Sequence, residues 1–378
     1  MDWPRAVYIH VPFCLHHCGY CDFTLVANRD HLIPEYLRLL ELEIRHLSSD
    51  ISKPYEVDTI FIGGGTPTHL SIEHLQTLLE VIHGSFRLSQ HGEYSIEANP
   101  DGLCNDRLDL LSENGVSRIS LGVQSFDEAV LKTLERRHSR EAAIDAIQRS
   151  AERFADVSLD LIFGVPGQSL ESWEETLQTA ISMPVQHIST YGLTYEQGTP
   201  FFRRERSGDL QRVADVHERD MYLVGIRTLS KAGFGHYEVS NFARPGFQCR
   251  HNRVYWNADE YFAFGPGAAR YLHGERSTNV RSVVRWLKAL QIGADWIEDR
   301  EVLTPEEKAR EAIMIGLRMM EGLDIARFEQ RFATSLAGLA SEPLDRHLAQ
   351  GHLVISHGRL RLTLDGLLIA DTVVSDFL

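Results

Sequence analysis

The sequence predicts an α/β fold: parallel β/α units arranged as a partial TIM-type barrel, then a helical, winged-helix-like module at the C-terminal end. Three observations carry this. Short β-branched runs alternate with stretches whose apolar residues recur at helical spacing, and parallel strands need such crossovers. Six strand ends in succession carry polar or glycine-rich clusters, on the face where β/α barrels build their sites. Residues 304–378 read as three helices and a hairpin.

In chain order, 6–10 is a strand, and 33–47 has apolar residues at 33, 37, 40, 44 and 47, which is helix spacing. A second strand at 59–62 ends in Gly63-Gly64-Gly65, and Ser71 is placed to cap a helix with Leu75, Leu78, Leu79 and Ile82 on one face. Strands follow at 94–97, 116–121, 157–163 and 187–193, with a helix and turn over 108–115 and a helix starting near Ser169. An insert, 203–244, holds one long helix at 209–231, and 234–273 is rich in glycine, aromatic residues and histidine. The C-terminal module reads as helices at 305–320, 325–336 and 344–350, with hairpin strands near 352–356 and 360–363. The expected domains are a core barrel over 1–235, a barrel-closing segment over 236–300 and the module over 301–378.

A net charge of −15 repels phosphate backbones, and 300–378 holds 9 Lys/Arg against 12 Asp/Glu, so the winged-helix pattern is not read as DNA-binding. There is no run of about 20 apolar residues to span a bilayer, and Met1-Asp-Trp-Pro-Arg5 does not read as a signal peptide. The expectation is a cytosolic protein without a membrane anchor. Three of five cysteines are clustered, which argues for metal use in a reducing compartment.

Those three form C-x3-C-x2-C: Cys14, Cys18 and Cys21, directly after the first strand. Three thiolates leave one metal position open, where four would close off a zinc ion or an iron–sulfur cluster. A structural zinc with a distant fourth ligand is the plainer alternative. Glycines at 63–65 expose backbone groups and let a ligand approach closely.

The cysteine spacing after a first strand, with Gly63-Gly64-Gly65-Thr66-Pro67-Thr68 after the second, resembles the radical SAM superfamily. The resemblance implies an open (β/α)6 barrel and a [4Fe-4S] cluster on Cys14, Cys18 and Cys21. The fourth iron would be chelated by S-adenosylmethionine. It implies that Tyr20 and Phe23 shield the cluster, that Tyr8 sits beside it, and that Gly64, Gly65, Thr66 and Glu97 contact S-adenosylmethionine.

Ser120-Leu-Gly-Val-Gln-Ser-Phe126, Arg136 to His138, and Leu159-Asp-Leu-Ile-Phe-Gly-Val-Pro-Gly167 resemble motifs of the coproporphyrinogen dehydrogenase-like subgroup. There, residues matching Gln124, Arg136 (or its neighbour Arg137) and Asp160 bind a second S-adenosylmethionine. Two features divide that subgroup. The dehydrogenases carry a fourth cysteine two places after the third and a longer N-terminal arm; here Phe23 takes that place and 13 residues precede Cys14. Cys249-Arg-His251-Asn252-Arg-Val-Tyr255-Trp256 resembles the H-N-x-x-Y-W motif of the HemW-type haem chaperones. The resemblance implies haem docked near the cluster-bearing mouth, with His251 the favoured axial ligand and Cys249 an alternative thiolate. The other reading of His251 is a hydrogen-bonded histidine in the barrel that touches no haem. Cys104 reads as a core or loop cysteine.

The expected function is thus a haem chaperone that passes haem to an acceptor protein, such as a respiratory haem protein. The alternative is an oxygen-independent coproporphyrinogen III dehydrogenase, which oxidatively decarboxylates propionates by radical chemistry.

Overall fold

The structure, a computed structural model, describes residues 3–48, 51 and 54–378. Met1 and Asp2, part of the segment read for a signal peptide, lie outside the described residues. Six parallel strands follow one another across the sheet in chain order: β1 (Ala6–Val11), β2 (Tyr55–Gly64), β3 (Phe86–Ala98), β4 (Arg118–Gln124), β5 (Asp156–Phe163) and β6 (His187–Gly192). The crossovers carry α1 (Ile33–Leu47), α2 (Ile72–His83), α3 (Asn105–Glu113), the pair α4 (Glu128–Thr133) and α5 (Arg140–Ala151), and α6 (Leu170–Ser182). Ser71 and Ser169 cap α2 and α6 by accepting from His74 N and Ser172 N.

Side chains alternate along each strand, and here the two faces differ in kind. Val7, Ile9, Ile60, Ile62, Ile96, Ile119, Leu121, Val157, Leu159 and Ile188 lie in one buried apolar core with the helices. The alternate positions are polar or aromatic: Tyr8 and His10, Thr59 and Phe61, Glu93, Ser95 and Glu97, Arg118 and Ser120, Ser158 and Asp160, His187, Ser189 and Tyr191. Register sets these in tiers, with Tyr8 opposite Phe61, Phe61 opposite Ser95, and Glu97 opposite Ser120. The open barrel therefore encloses a polar interior, unlike the apolar filling of a closed eight-stranded barrel.

Beyond β6, α7 (Pro200–Arg206) and α8 (Asp215–Lys231) lead to β7 (Gly235–Glu238) and β8 (Asn241–Ala243), a hairpin that extends the sheet, with β8 antiparallel to β6 and β7 antiparallel to β8. Helix α9 (Arg250–Trp256) carries the histidine motif, and β9 (Phe262–Phe264) adds a parallel strand outside β1. Strands β10 (Ala269–Leu272), β11 (Glu275–Asn279) and β12 (Ile297–Val302), with α10 (Val283–Gln291) between the last two, form a separate small sheet. The C-terminal residues build α11 (Pro305–Gly316), β13 (Leu323–Asp324), α12 (Ile325–Phe332), α13 (Leu336–Ala349), β14 (Leu353–Ser356), β15 (Arg359–Leu362), α14 (Leu364–Leu367) and α15 (Ala370–Ser375). Ile313, Leu317, Phe328, Leu344, Leu360 and Phe377 share a core there. Arg318 fastens it to the barrel by donating two hydrogen bonds, from Nε at 3.0 Å and Nη2 at 2.7 Å, to Oε1 of the fully buried Glu238.

Several boundaries differ from expectation. The helix read over 209–231 begins at Asp215, because Gly208 (φ +81°) turns the chain and Asp209 N and Leu210 N bond back to Arg204 O. The strand read from 116 begins at Arg118, since Val116 N still bonds the end of α3 at Leu111 O. The helix read over 325–336 stops at Phe332, where Ala333 is left-handed, and the one read over 344–350 starts at Leu336 with a break at Ala340.

Candidate functional site

The C-terminal ends of the strands open into a mouth of about 400 Å³. It gathers Cys14, Cys18, Tyr20, Cys21, Gly64, Gly65, Thr66, Glu97, Gln124, Arg136 and Asp160, eleven of the thirteen residues expected at the site. Two do not line it. Tyr8 and His251 line a lower chamber of about 310 Å³, which meets the mouth at Glu97, Ser120, Asp160 and Tyr191.

The cysteine loop is tied to the barrel rim. Cys14 Sγ lies 3.2 Å from Thr66 Oγ1, and Asn99 Nδ2 donates to the same hydroxyl at 2.8 Å. Arg136 Nη2 donates to Asn99 Oδ1 at 2.6 Å and to Gly122 O at 2.7 Å, and Arg136 Nη1 faces Cys18 Sγ at 3.9 Å. Burial pushes the Cys14 thiol up to about 11 and the Cys21 thiol up to about 12, so without a metal both are neutral. Among the described residues no three His, Cys, Asp or Glu side chains close on a single ion. A cluster whose irons each take one thiolate asks for no such convergence, and three unpaired thiols on one loop are the donor set it needs.

The glycine turn fits a close ligand. A Cβ on Gly65 would lie 2.8 Å from Phe13 O and 2.9 Å from Val11 O, and one on Gly64 (φ +112°) would meet the His10 ring at 2.5 Å. Gly64 N donates to Glu97 Oε2 at 2.9 Å. Burial first, and the neighbouring Asp160 second, push the Glu97 carboxyl up to about 7. Burial also raises Asp160, which accepts from Ser120 Oγ at 3.2 Å. The buried Nε of Arg136 has no partner among the described residues. The mouth thus offers carboxylates and an unsatisfied guanidinium N–H to a ligand bearing both polar kinds, as S-adenosylmethionine does.

Backbone strain collects here too. Gln124 (φ +67°) and Glu135 (φ +58°) are non-glycine residues in the left-handed region, and both line the mouth. Sequence reasoning missed Glu135. Its carboxylate accepts from Gly19 N at 2.9 Å, inside the cysteine loop, and from Arg204 Nη1 at 3.3 Å. Phe201 of α7 also backs the loop, with its ring against Tyr20 at 6.1 Å. The pair Thr199-Pro200, a cap followed by proline at the first helical position, is the signal that marks α7.

The floor is different. Tyr8 lies two residues below His10 on β1, which takes it off the rim; its hydroxyl meets His10 Nδ1 at 3.1 Å. His251 is fully buried, and both ring nitrogens are engaged: Nδ1 with Thr59 Oγ1 at 2.8 Å and Nε2 with Tyr255 OH at 2.8 Å. Its ring stacks on Phe61 at 5.3 Å, and burial lowers its pKa to about 3. Iron ligation there would require one of those bonds to break. Cys249 is equally sealed, with Sγ donating to Glu93 Oε1 at 3.6 Å. Cys104 precedes α3, beside Arg107. Glu93, also unforeseen, accepts from Arg250 N (2.8 Å) and His251 N (3.2 Å) and so holds the start of α9 across the barrel floor.

The loop is also braced from behind. Glu43, fully buried on α1, accepts from Gly265 N at 2.9 Å and Asn279 Nδ2 at 2.6 Å. The Gly265-Pro-Gly267 turn it holds packs directly on His10 and Thr24, and His10 Nε2 lies 2.7 Å from Thr24 O, just past Cys21.

A model of the radical SAM superfamily matches residues 8–180, and one of the HemN C-terminal domain matches residues 303–369. The chain is 36% identical over 376 residues to the heme chaperone HemW of Bacillus subtilis (strain 168), covering 99% of each. It is 35% identical over 376 residues to the heme chaperone HemW of Lactococcus lactis subsp. lactis (strain IL1403), covering 99% of this chain and 97% of that relative. Its fold is similar to that of coproporphyrinogen III oxidase (HemN) from Escherichia coli, with a TM-score of 0.87 at 23% identity over 100% of this chain and 90% of that one. On this near-full-length similarity, the chain belongs to the HemW family of the radical SAM superfamily.

Proposed function

We propose that the protein is a haem chaperone: it takes up haem at the cluster-bearing mouth and releases it to an acceptor protein. The observation that carries this is the similarity, over 99% of the chain, to relatives named heme chaperones. The residues at the mouth fit the cofactors the superfamily implies. Cys14, Cys18 and Cys21 would hold a [4Fe-4S] cluster, and Gly64, Gly65, Thr66 and Glu97 would hold S-adenosylmethionine beside it. Gln124, Arg136 and Asp160 complete the polar wall of the same mouth. When bound, that pair supplies one-electron chemistry. The chain's own part is to shield the cluster, through Tyr20 and Phe201 behind the loop, and to orient the ligand's polar end with the Glu97 carboxylate.

The test is to reconstitute the cluster anaerobically, titrate haem, and follow the visible spectrum while assaying coproporphyrinogen III turnover. Saturable haem binding without turnover is the expected result. Vinyl product would instead establish the dehydrogenase reading, and no haem binding would end the chaperone reading.

A further inference from the structure

Haem iron needs a nitrogen lone pair that is free and reachable, and the porphyrin plane needs an apolar seat. Of the nearby histidines, His10, His187 and His251 have both ring nitrogens in hydrogen bonds, and His17 donates Nε2–H to Cys21 O and does not line the mouth. His16 has no such bond among the described residues. It lies between Cys14 and Cys18, lines the mouth, and is exposed. Its nearest charged neighbour is Glu135, with Nε2 3.7 Å from Oε2, beyond hydrogen-bond reach.

The surroundings suit the rest of the molecule. Leu15, next to His16, and Phe23, two places after Cys21, line the same mouth and are 47% and 60% exposed, so both present apolar surface there. Across the gap, Arg204 meets the same Glu135 carboxylate at 3.3 Å, which sets a half-exposed guanidinium beside His16. An imidazole, an apolar ledge and a cation on one rim match the iron, the ring and a propionate.

We propose that His16 is the axial ligand of haem on this protein, with Leu15 and Phe23 under the ring and Arg204 receiving a propionate. Glu135 is the positioning residue: from its left-handed backbone it holds Gly19 and keeps His16 and Arg204 on one side of the rim. This deepens the haem reading and rests on it. It places the cargo against the cluster loop itself and leaves His251 to fasten α9.

The experiment compares wild type, His16→Ala, Phe23→Asp and His251→Gln, each with its cluster reconstituted and its iron content measured, by haem titration and by the spin state of the bound iron. His251→Gln keeps a donor and an acceptor for Thr59 and Tyr255 but cannot serve as an imidazole ligand. The expected result is that His16→Ala loses the imidazole-ligated spectrum and binds haem at least about tenfold more weakly, the loss a metal site suffers when even a hydrogen-bond partner of a ligand is removed. Phe23→Asp weakens binding with the spectrum kept, and His251→Gln matches wild type. An unchanged spectrum in His16→Ala, or its loss in His251→Gln, overturns the assignment while the haem reading stands. Wild type that takes up no haem overturns both.

Discussion

The mouth and the floor of this barrel are built from the same strands, a few residues apart, and their polar groups are treated in opposite ways. On the floor, side chains are bonded chiefly to one another, although Arg118 Nε, like Arg136 Nε at the mouth, has no partner among the described residues. His251 and His187 use both ring nitrogens, Arg118 pairs with Asp156 at 2.8 Å, and Glu93 holds the start of α9. At the mouth, three thiols on one loop form no disulfide, the Arg136 Nε has no partner among the described residues, and Gln124 and Glu135 hold strained backbone. A buried polar group without a partner costs about 1–3 kcal/mol, so it persists where a ligand supplies the partner. The floor, where side chains mostly hold one another and the start of α9, is scaffold; the mouth, with its cysteine loop, strained backbone and open Arg136 Nε, is site.

Cys21→Ser tests that division most severely. Reconstituted iron and the cluster's visible absorption should fall to background, while unfolding of the metal-free protein in urea should shift by less than about 1 kcal/mol, because a serine hydroxyl can keep the thiol's bond to the Phe23 backbone. An apo fold that collapses would mean the loop is structural. The floor should answer the other way. Glu93→Ala strands two backbone N–H groups of α9 beside the buried Arg118, at a cost of about 3–5 kcal/mol, with cluster loading of the surviving folded protein unchanged. Loss of the cluster at full stability would erase the distinction.

The brace behind the loop gives a pH test. Burial raises Glu43 from 4.5 to about 7, against the opposing pull of Gly265 N, Asn279 and Arg270; burial first, and Glu43 second, also push up Tyr36 on the same helix. A carboxyl raised by folding contributes stability that is full below about 4.5 and is lost as pH climbs through about 7. The contribution is on the order of 3 kcal/mol across that window. Urea midpoints of wild type should fall over that range relative to Glu43→Gln, which carries no titrating group there. Parallel curves would mean that Glu43 ionises freely in the fold.

Much of the mouth was legible because its residues sit in short motifs at strand ends, and strand ends follow from the alternation of β-branched runs with helical spacing. The floor was less so. Glu93, Ser95 and Glu97 alternate along β3, as do Arg118 and Ser120 on β4, and that period of two marks a polar interior. Which of those groups pair with one another depends on register across five strands and on α9, which arrives some 150 residues later. His251 shows the consequence: its motif was visible, but its partners Thr59 and Tyr255, and hence its depth, were not. Glu135 was invisible for another reason. A left-handed backbone at a glutamate leaves no trace in residue type.

Glu97 belongs to both regions, which makes it the finest probe of the boundary between them. Its carboxylate accepts from Gly64 N on the ligand side and is pushed up to about 7 by burial and by Asp160 on the chamber side. A ligand whose polar end offers N–H donors is held by the ionised form and poorly by the neutral one. S-adenosylmethionine binding to the reconstituted protein should therefore tighten about tenfold between pH 6 and pH 8, as the fraction of ionised carboxylate rises. Asp160→Asn removes the charge that helps to raise Glu97, so the midpoint should move to lower pH, and isothermal titration at several pH values reads both effects. If binding were flat with pH in both proteins, the two carboxylates would be part of the satisfied scaffold, and the line between mouth and floor would have to be drawn above them.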